Sequence, residues 1–309
     1  MVLLAVLAVA VAAGALYEPN LAISSGFLGK HVVVRGVPLR VHQQGTGRNV
    51  LLIHGSPGSI EDWQPVLDGL SGSFRFTVFD RPGHGFSGDA GQYSYRFNAE
   101  IALALIDELK LDHVLVVGHS YGGATALAMA LLAPPAVDGF VVLDSATYRG
   151  SREPTVLFRL LGVPWLGIGL ARVMPSSIAA SQIRKALTDV YRSVPPEDFL
   201  ALRTRLWSPP KVNHAIAKEI LGSTPELTEV SPQYPSIRRP LAILAQGDVP
   251  IRKDSAERLH AAVAGSSLEL VFGSGHMLQF QSTPEVLRTI RSLDARRPVP
   301  SAALVGGIQ

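Results

Sequence analysis

The part of this chain that admits the fewest folds runs from Val114 to Leu132, VLVVGHSYGGATALAMALL. Val114 to Val117 is a short apolar, β-branched run, the pattern of a strand buried on both faces of a parallel sheet. Ala124 to Leu132 is a strong helix former that stops before Pro134-Pro135. Joining the two with almost no loop forces the residue between them, Ser120, into a strained backbone conformation. Glycine two residues to either side leaves room for the bend, because no Cβ has to fit. A G-x-S-x-G turn of this kind lifts the serine hydroxyl to the top of a sheet, beside a helix N-terminus. The bland alternative is a Gly-rich turn that only packs a helix on a sheet, and the strand before and helix after weigh against it.

The same alternation extends along the chain. His31 to Arg35 and Pro38 to Gln43 form a hairpin around Gly36, and Asn49 to Ile53 and Phe74 to Phe79 are further strands. Asn98 to Leu109 is helical, and Phe140 to Leu143 is a strand ending at Asp144. From about 150 to 231 the strand pattern vanishes and helical segments carry Trp165, Tyr191, Phe199 and Trp207, an excursion over the sheet that reads as a lid. Leu241 to Ala245 resumes the strands, followed by a helix over Ser255 to Val263, a strand over Leu268 to Phe272 and a closing helix over Pro284 to Leu293. The predicted fold class is α/β: a mostly parallel eight-stranded sheet, core parts at 30–149 and 232–293, and helices on both faces. Chemistry in such sheets gathers at the carboxyl ends of the strands, where His54, Asp80, Ser120 and Asp144 all fall. Residues 294–309, rich in Pro, Ala and Gly, are expected to be disordered.

Composition excludes several classes. The chain of 309 residues is 47% hydrophobic, enough for one large core with an insertion. Its net charge is +3 and its pI about 9.3, but no Lys/Arg run exceeds two residues, so a nucleic-acid partner is not expected. With no cysteine there is no disulfide, no thiolate metal site and no Cys nucleophile. No phosphate loop or metal-spaced cluster stands out, so neither cofactor nor metal is implied.

Residues 1–16, MVLLAVLAVAVAAGAL, are apolar and uncharged, with Tyr17 at an interface-like position. As a helix they reach about 24 Å, slightly short of a ~30 Å hydrocarbon core. The expectation is membrane association through residues 1–17 as a retained anchor, with residues 17–29 as a linker. The alternative is export after cleavage near Ala10-Val11-Ala12, although the basic n-region of a signal peptide is missing.

HGSPGS, DRPGHGFSG, GHSYGG and GSGHM, in this order on these elements, resemble the α/β-hydrolase superfamily over roughly residues 30 to 293. The likeness is to the lidded serine-hydrolase branch of small esterases, C–C bond hydrolases and cofactor-free haloperoxidases. Epoxide hydrolases and haloalkane dehalogenases share the lid but place an Asp where this chain has Ser120. The resemblance implies Ser120 as nucleophile and His276, after the last strand, as its base. His119 is expected to point away, while His54, His84, Asp80 and Arg81 brace loops. Asp248 is the first candidate for the orienting acid, although Gly247 abuts it where the family has two intervening residues. Asp144 is the alternative acid, since some members take it from that strand. The oxyanion donors are the backbone N–H groups of Tyr121 and, by resemblance, Ser56; Pro57 has none. The implied activity is hydrolysis of a carboxylic ester with a small to medium apolar acyl group. The alternatives are C–C bond cleavage in a diketo acid, with Arg149, Arg152 or Arg159 holding the carboxylate, and a non-catalytic ligand receptor.

Overall fold

The computed structural model describes residues 2–150, 153–174 and 176–295. Its eight strands are β1 (Lys30–Val34), β2 (Val37–Gln44), β3 (Arg48–Ile53), β4 (Phe74–Phe79), β5 (Val114–His119), β6 (Val137–Leu143), β7 (Leu241–Gln246) and β8 (Ser267–Val271). They form one sheet in the order β1-β2-β4-β3-β5-β6-β7-β8. Pairs β1/β2 and β2/β4 are antiparallel and all others parallel, which is the predicted architecture. After β3 the chain goes first to β4 on one side and then to β5 on the other. That reversal opens a crevice at the carboxyl ends of β3 and β5, the place where such sheets bind ligands.

Helix α1 (Val2–Ala15) precedes the sheet, and α2 (Gln64–Leu70), α3 (Tyr95–Glu108) and α4 (Tyr121–Leu131) lie between its strands. One core layer packs Ile101, Leu105, Leu127 and Leu259 against one face of the sheet. The other packs Val66, Leu70, Val286 and Ile290 against the opposite face. Among the described residues five α-helices stand between β6 and β7: α5 (Val156–Leu161), α6 (Leu166–Val173), α7 (Ser176–Tyr191), α8 (Glu197–Trp207) and α9 (Pro210–Val230). Then follow α10 (Pro250–Ala262), α11 (Leu278–Gln281) and α12 (Thr283–Ala295). Helix α10 begins five residues before the predicted start, because Pro250 sits in its first turn, where a missing N–H costs nothing. The expected disordered tail lies outside the described residues from 296 onward.

The N-terminal segment departs from expectation. Helix α1 is 14 residues long, and among the described residues no helix is long and apolar enough to cross a membrane. Nor does it stand apart on a linker. It packs along α6, with Ala10 fully buried and the Arg172 guanidinium donating to the Ala13 carbonyl at 3.0 Å.

At the junction of β5 and α4, Ser120 adopts φ 53°, ψ −114°, the strain read from the sequence. A Cβ on Gly118 would collide with the Gly122 carbonyl, and one on Gly122 with the Ile53 carbonyl at the end of β3. Both glycines are therefore demanded by backbone crossing backbone. Gly122→Ala is expected to destabilise the fold by about 1–3 kcal/mol through this overpacking. Urea unfolding would read it, and an unchanged midpoint would show that β3 and α4 are not in such contact.

Candidate active site

Ser120 is fixed from both sides: its N–H bonds the Leu143 carbonyl (2.9 Å) and its own carbonyl accepts from Ala124 and Ala146. Its Oγ lies 3.0 Å from His276 Nε2, on the loop after β8. The other ring nitrogen, Nδ1, bonds the Asp144 carboxylate at the end of β6. Asp144 is almost fully buried and also accepts from the Gln246 N–H at 3.2 Å. Arg252 closes the group, donating to the Asp144 carbonyl at 3.3 Å with its Nε 3.7 Å from the carboxylate.

Asp248, expected against His276, lies elsewhere. It pairs with Arg192 and accepts from the Gly273 N–H at 3.2 Å. The physical reason is turn length. With Gly247 directly before Asp248 and α10 starting at Pro250, the turn after β7 carries that carboxylate to the β8 side. The vacant place beside His276 falls to the carboxylate on the neighbouring strand.

The electrostatics suit a neutral imidazole beside an ionised acid. Burial acts to raise the Asp144 carboxyl, but the His276 bond and the charges of His276 and Arg252 outweigh it and hold the group below its ordinary value. Burial lowers His276, Arg252 lowers it further, and Asp144 only partly offsets them. His119 does not point away as expected. Its Nε2 donates to the His276 carbonyl at 2.8 Å and the two rings lie 4.7 Å apart. Burial and the nearby His276 push His119 down to about 3, so it stays neutral and holds the loop that carries His276.

Ser120, Tyr121 and Ser56 line one cavity of about 560 Å³. As the first residue of α4, Tyr121 has an N–H with no intrahelical acceptor. Gly55 runs past Ser120 so closely that a Cβ there would sit 3.1 Å from the serine Cβ, which brings the Ser56 loop to the same place. Among the described residues neither N–H has a protein acceptor. The cavity walls are mixed: Phe158, Ile220, Leu227 and Ile251 supply apolar surface, while Tyr95, Ser145, Thr147 and Tyr148 bring hydroxyls and Arg149 and Arg252 bring charge. Arg159 faces Glu153 across 3.7 Å and is exposed; Arg152 lies outside the described residues.

Beneath the cavity floor Arg81 is wholly buried and fully used. It donates to the carbonyls of His54 (3.2 Å) and Gly55 (2.8 Å), pairs with Glu219 of α9 and covers the Tyr121 ring at 4.4 Å. His54 accepts from the Arg81 backbone N–H at 2.9 Å, and His84 meets Glu219 at 3.2 Å. Asp80 pairs with Arg40 (2.7 Å) and accepts from the Ile60 and Phe86 N–H groups. All four brace loops. Glu219 and Arg252 were not singled out from the sequence, because each is one charge among neighbours on a helix and its partner lies more than a hundred residues away.

A scan against family descriptions matches residues 50–289 to the alpha/beta hydrolase family. The chain belongs to that family. It is 26% identical over 276 residues to 2-hydroxy-6-oxo-2,4-heptadienoate hydrolase of Pseudomonas putida, covering 85% of this chain and 95% of that protein. In fold it is similar to an esterase from Exiguobacterium antarcticum (TM-score 0.70, 21% identity, 86% of this chain and 98% of that one). It is also similar to the epoxide hydrolase CorEH (TM-score 0.72, 19% identity, 87% and 98%).

Burial acts to raise Glu219, yet Arg81 and His84 draw it down from 4.5 to about 2. A depressed carboxyl stabilises the fold above its unfolded value, and that contribution is lost as pH falls from about 4.5 toward about 2. Glu219→Gln leaves Arg81 buried without a counter-charge and is expected to cost roughly 3–5 kcal/mol at neutral pH. It should also flatten the acid limb of stability. Urea titrations across pH measure both, and an unchanged limb would sever Glu219 from it.

Proposed function

We propose that the chain is a serine hydrolase that cleaves a carboxylic ester through an acyl-enzyme. Ser120 is the nucleophile, His276 the base and Asp144 the acid that orients it. One observation carries this reading: the continuous line of contacts from Ser120 Oγ to His276 Nε2 (3.0 Å) and from Nδ1 to the buried Asp144. Serine is a poor nucleophile until a base takes its proton. As Ser120 Oγ attacks the carbonyl carbon, its proton passes to Nε2, and Asp144 stabilises the imidazolium while fixing the tautomer. The N–H groups of Tyr121 and Ser56 receive the oxyanion. Collapse of the tetrahedral species expels the alcohol, which takes the proton from His276. Water then attacks the acyl-serine, again losing its proton to His276, and releases the carboxylic acid. A cavity of about 560 Å³ fits an acyl group of small to medium size.

A second reading, C–C bond cleavage in a vinylogous diketo acid by the same three residues, is favoured by Arg149 and Arg252 in the cavity wall. The likeness to the 2-hydroxy-6-oxo-2,4-heptadienoate hydrolase of Pseudomonas putida points the same way. Comparing a neutral short-chain ester with a diketo acid substrate decides between them. A higher kcat/KM on the diketo acid, lost in Arg252→Met, would replace the ester reading. A chain that turns over neither is the non-catalytic receptor.

Ser120→Ala is expected to fold normally and lose roughly four to six orders of magnitude in kcat, since members of such a group act as a unit. Retention of a tenth of the rate would end the serine mechanism. Asp144→Asn should cost on the order of 10⁴ in kcat by favouring the wrong tautomer, and Asp248→Asn little. The reverse ranking would return the acid role to Asp248.

Because burial and Arg252 both lower His276, the acid limb of kcat/KM should lie below the ordinary histidine value of 6.5. Removing Arg252 removes one of those two causes, so Arg252→Met should move the limb to higher pH. A limb that stays in place under substitution would mean that Arg252 does not act on His276.

A further inference from the structure

Helix α1 carries no polar side chain, yet its 14 residues reach only about 21 Å, short of a ~30 Å hydrocarbon core. An all-apolar helix has no wet face of its own, and α6 supplies the missing side. A Cβ added at Gly14 would strike the Trp165 carbonyl and one at Gly169 the Ala10 carbonyl, so the two backbones are in close contact. Away from α6, Val9 of α1 is 61% exposed and Leu16, just past its end, 77%. On α5, which packs on α6, and in the turn between the two helices, Val156, Leu157, Leu160, Val163 and Trp165 stand 41–72% exposed. A soluble monomer rarely leaves so much apolar surface in one place.

We propose that α1, α5 and α6 together form a docking face for an anionic lipid bilayer, with α1 lying in the plane of the surface. Charge chooses this occupant. Residues 156–173, which carry α5 and α6, hold two basic residues, Arg159 and Arg172, and no acidic one. Arg172, at the C-terminal end of α6, sits against the end of α1 and over the Tyr17 ring. A second copy of the chain would bring like charge to like charge, whereas anionic headgroups neutralise it and the acyl layer receives the apolar side chains. The face adjoins the active site. Phe158 of α5 lines the cavity while Val156, Leu157 and Leu160 of the same helix are exposed, so docking brings the cavity rim at Pro154 and Thr155 to the lipid surface.

Flotation of the full chain with vesicles of phosphatidylcholine, with and without about a third phosphatidylglycerol, tests the proposal. The chain should float with the anionic vesicles and more weakly with the neutral ones. Leu157→Ser with Leu160→Ser, at exposed positions, should lower partitioning by about tenfold or more. Trp165→Ser is a second variant that should act in the same direction. Trp63 and Trp207 are buried, so brominated lipid should quench the emission of Trp165 alone. A double variant that floats as well as the parent would assign attachment to α1 by itself and overturn the shared face. Self-association without flotation, abolished by the same substitutions, would assign the face to a second copy and overturn the lipid. Turnover of a water-soluble ester should be the same in parent and double variant, so a failure of the catalytic reading would register separately.

Discussion

The guanidinium of Arg81 ties together every part of the site except the imidazole and its acid. It binds the carbonyls of the loop after β3, covers the ring that follows Ser120 and neutralises a carboxylate on α9. A buried cation is tolerable only when its donors and charge are met, and here each partner belongs to a different layer. The loop that brings Ser56 to Ser120 is thus held by the same atoms that hold α9 down. A second buried pair, Arg203 with Asp62 at 3.0 Å, fastens α8 to the turn before α2. The roof over the cavity rests on ionic seams, while the sheet below is held by apolar packing.

The site also shows how a sheet can supply one chemical role from either of two strands. The ends of β6 and β7 are neighbours, and Asp144 N–H bonds the Leu244 carbonyl at 2.7 Å. Either strand therefore ends within reach of the imidazole. Turn length decides which one delivers a carboxylate, and the short turn after β7 sends Asp248 to Arg192.

The layout was legible because its signals are local. Valine-rich runs, glycines at two-residue spacing and prolines at helix ends specify strand, elbow and helix and marked Ser120, while His276 came from the family resemblance. What was hidden depends on pairs remote in sequence. The preference for Asp248 over Asp144 followed the family pattern, and the misfit at Gly247 was its only warning. The direction of the His119 ring and the partnership of Glu219 with Arg81 are settled by tertiary packing. No residue in α1 announces that its partner is α6, because small side chains that permit close approach read as plain hydrophobicity.

The position of the His276 partner on β6 has a bearing on how such a chain can change. Ser120 and Asp144 are 24 positions apart at the ends of adjacent, directly bonded strands, with Ser56 before them and Tyr121 between them. These groups are complete before the chain enters α5. Insertions, deletions or wholesale exchange of residues 156–230 leave their spacing untouched, provided that β8 still returns His276 to its place. With that carboxylate on β7, it and Ser120 would sit on opposite sides of the helical segment. The contacts between β5 and β6 are thus separate in sequence from the helices over the cavity, so the second can diversify while the first stay fixed.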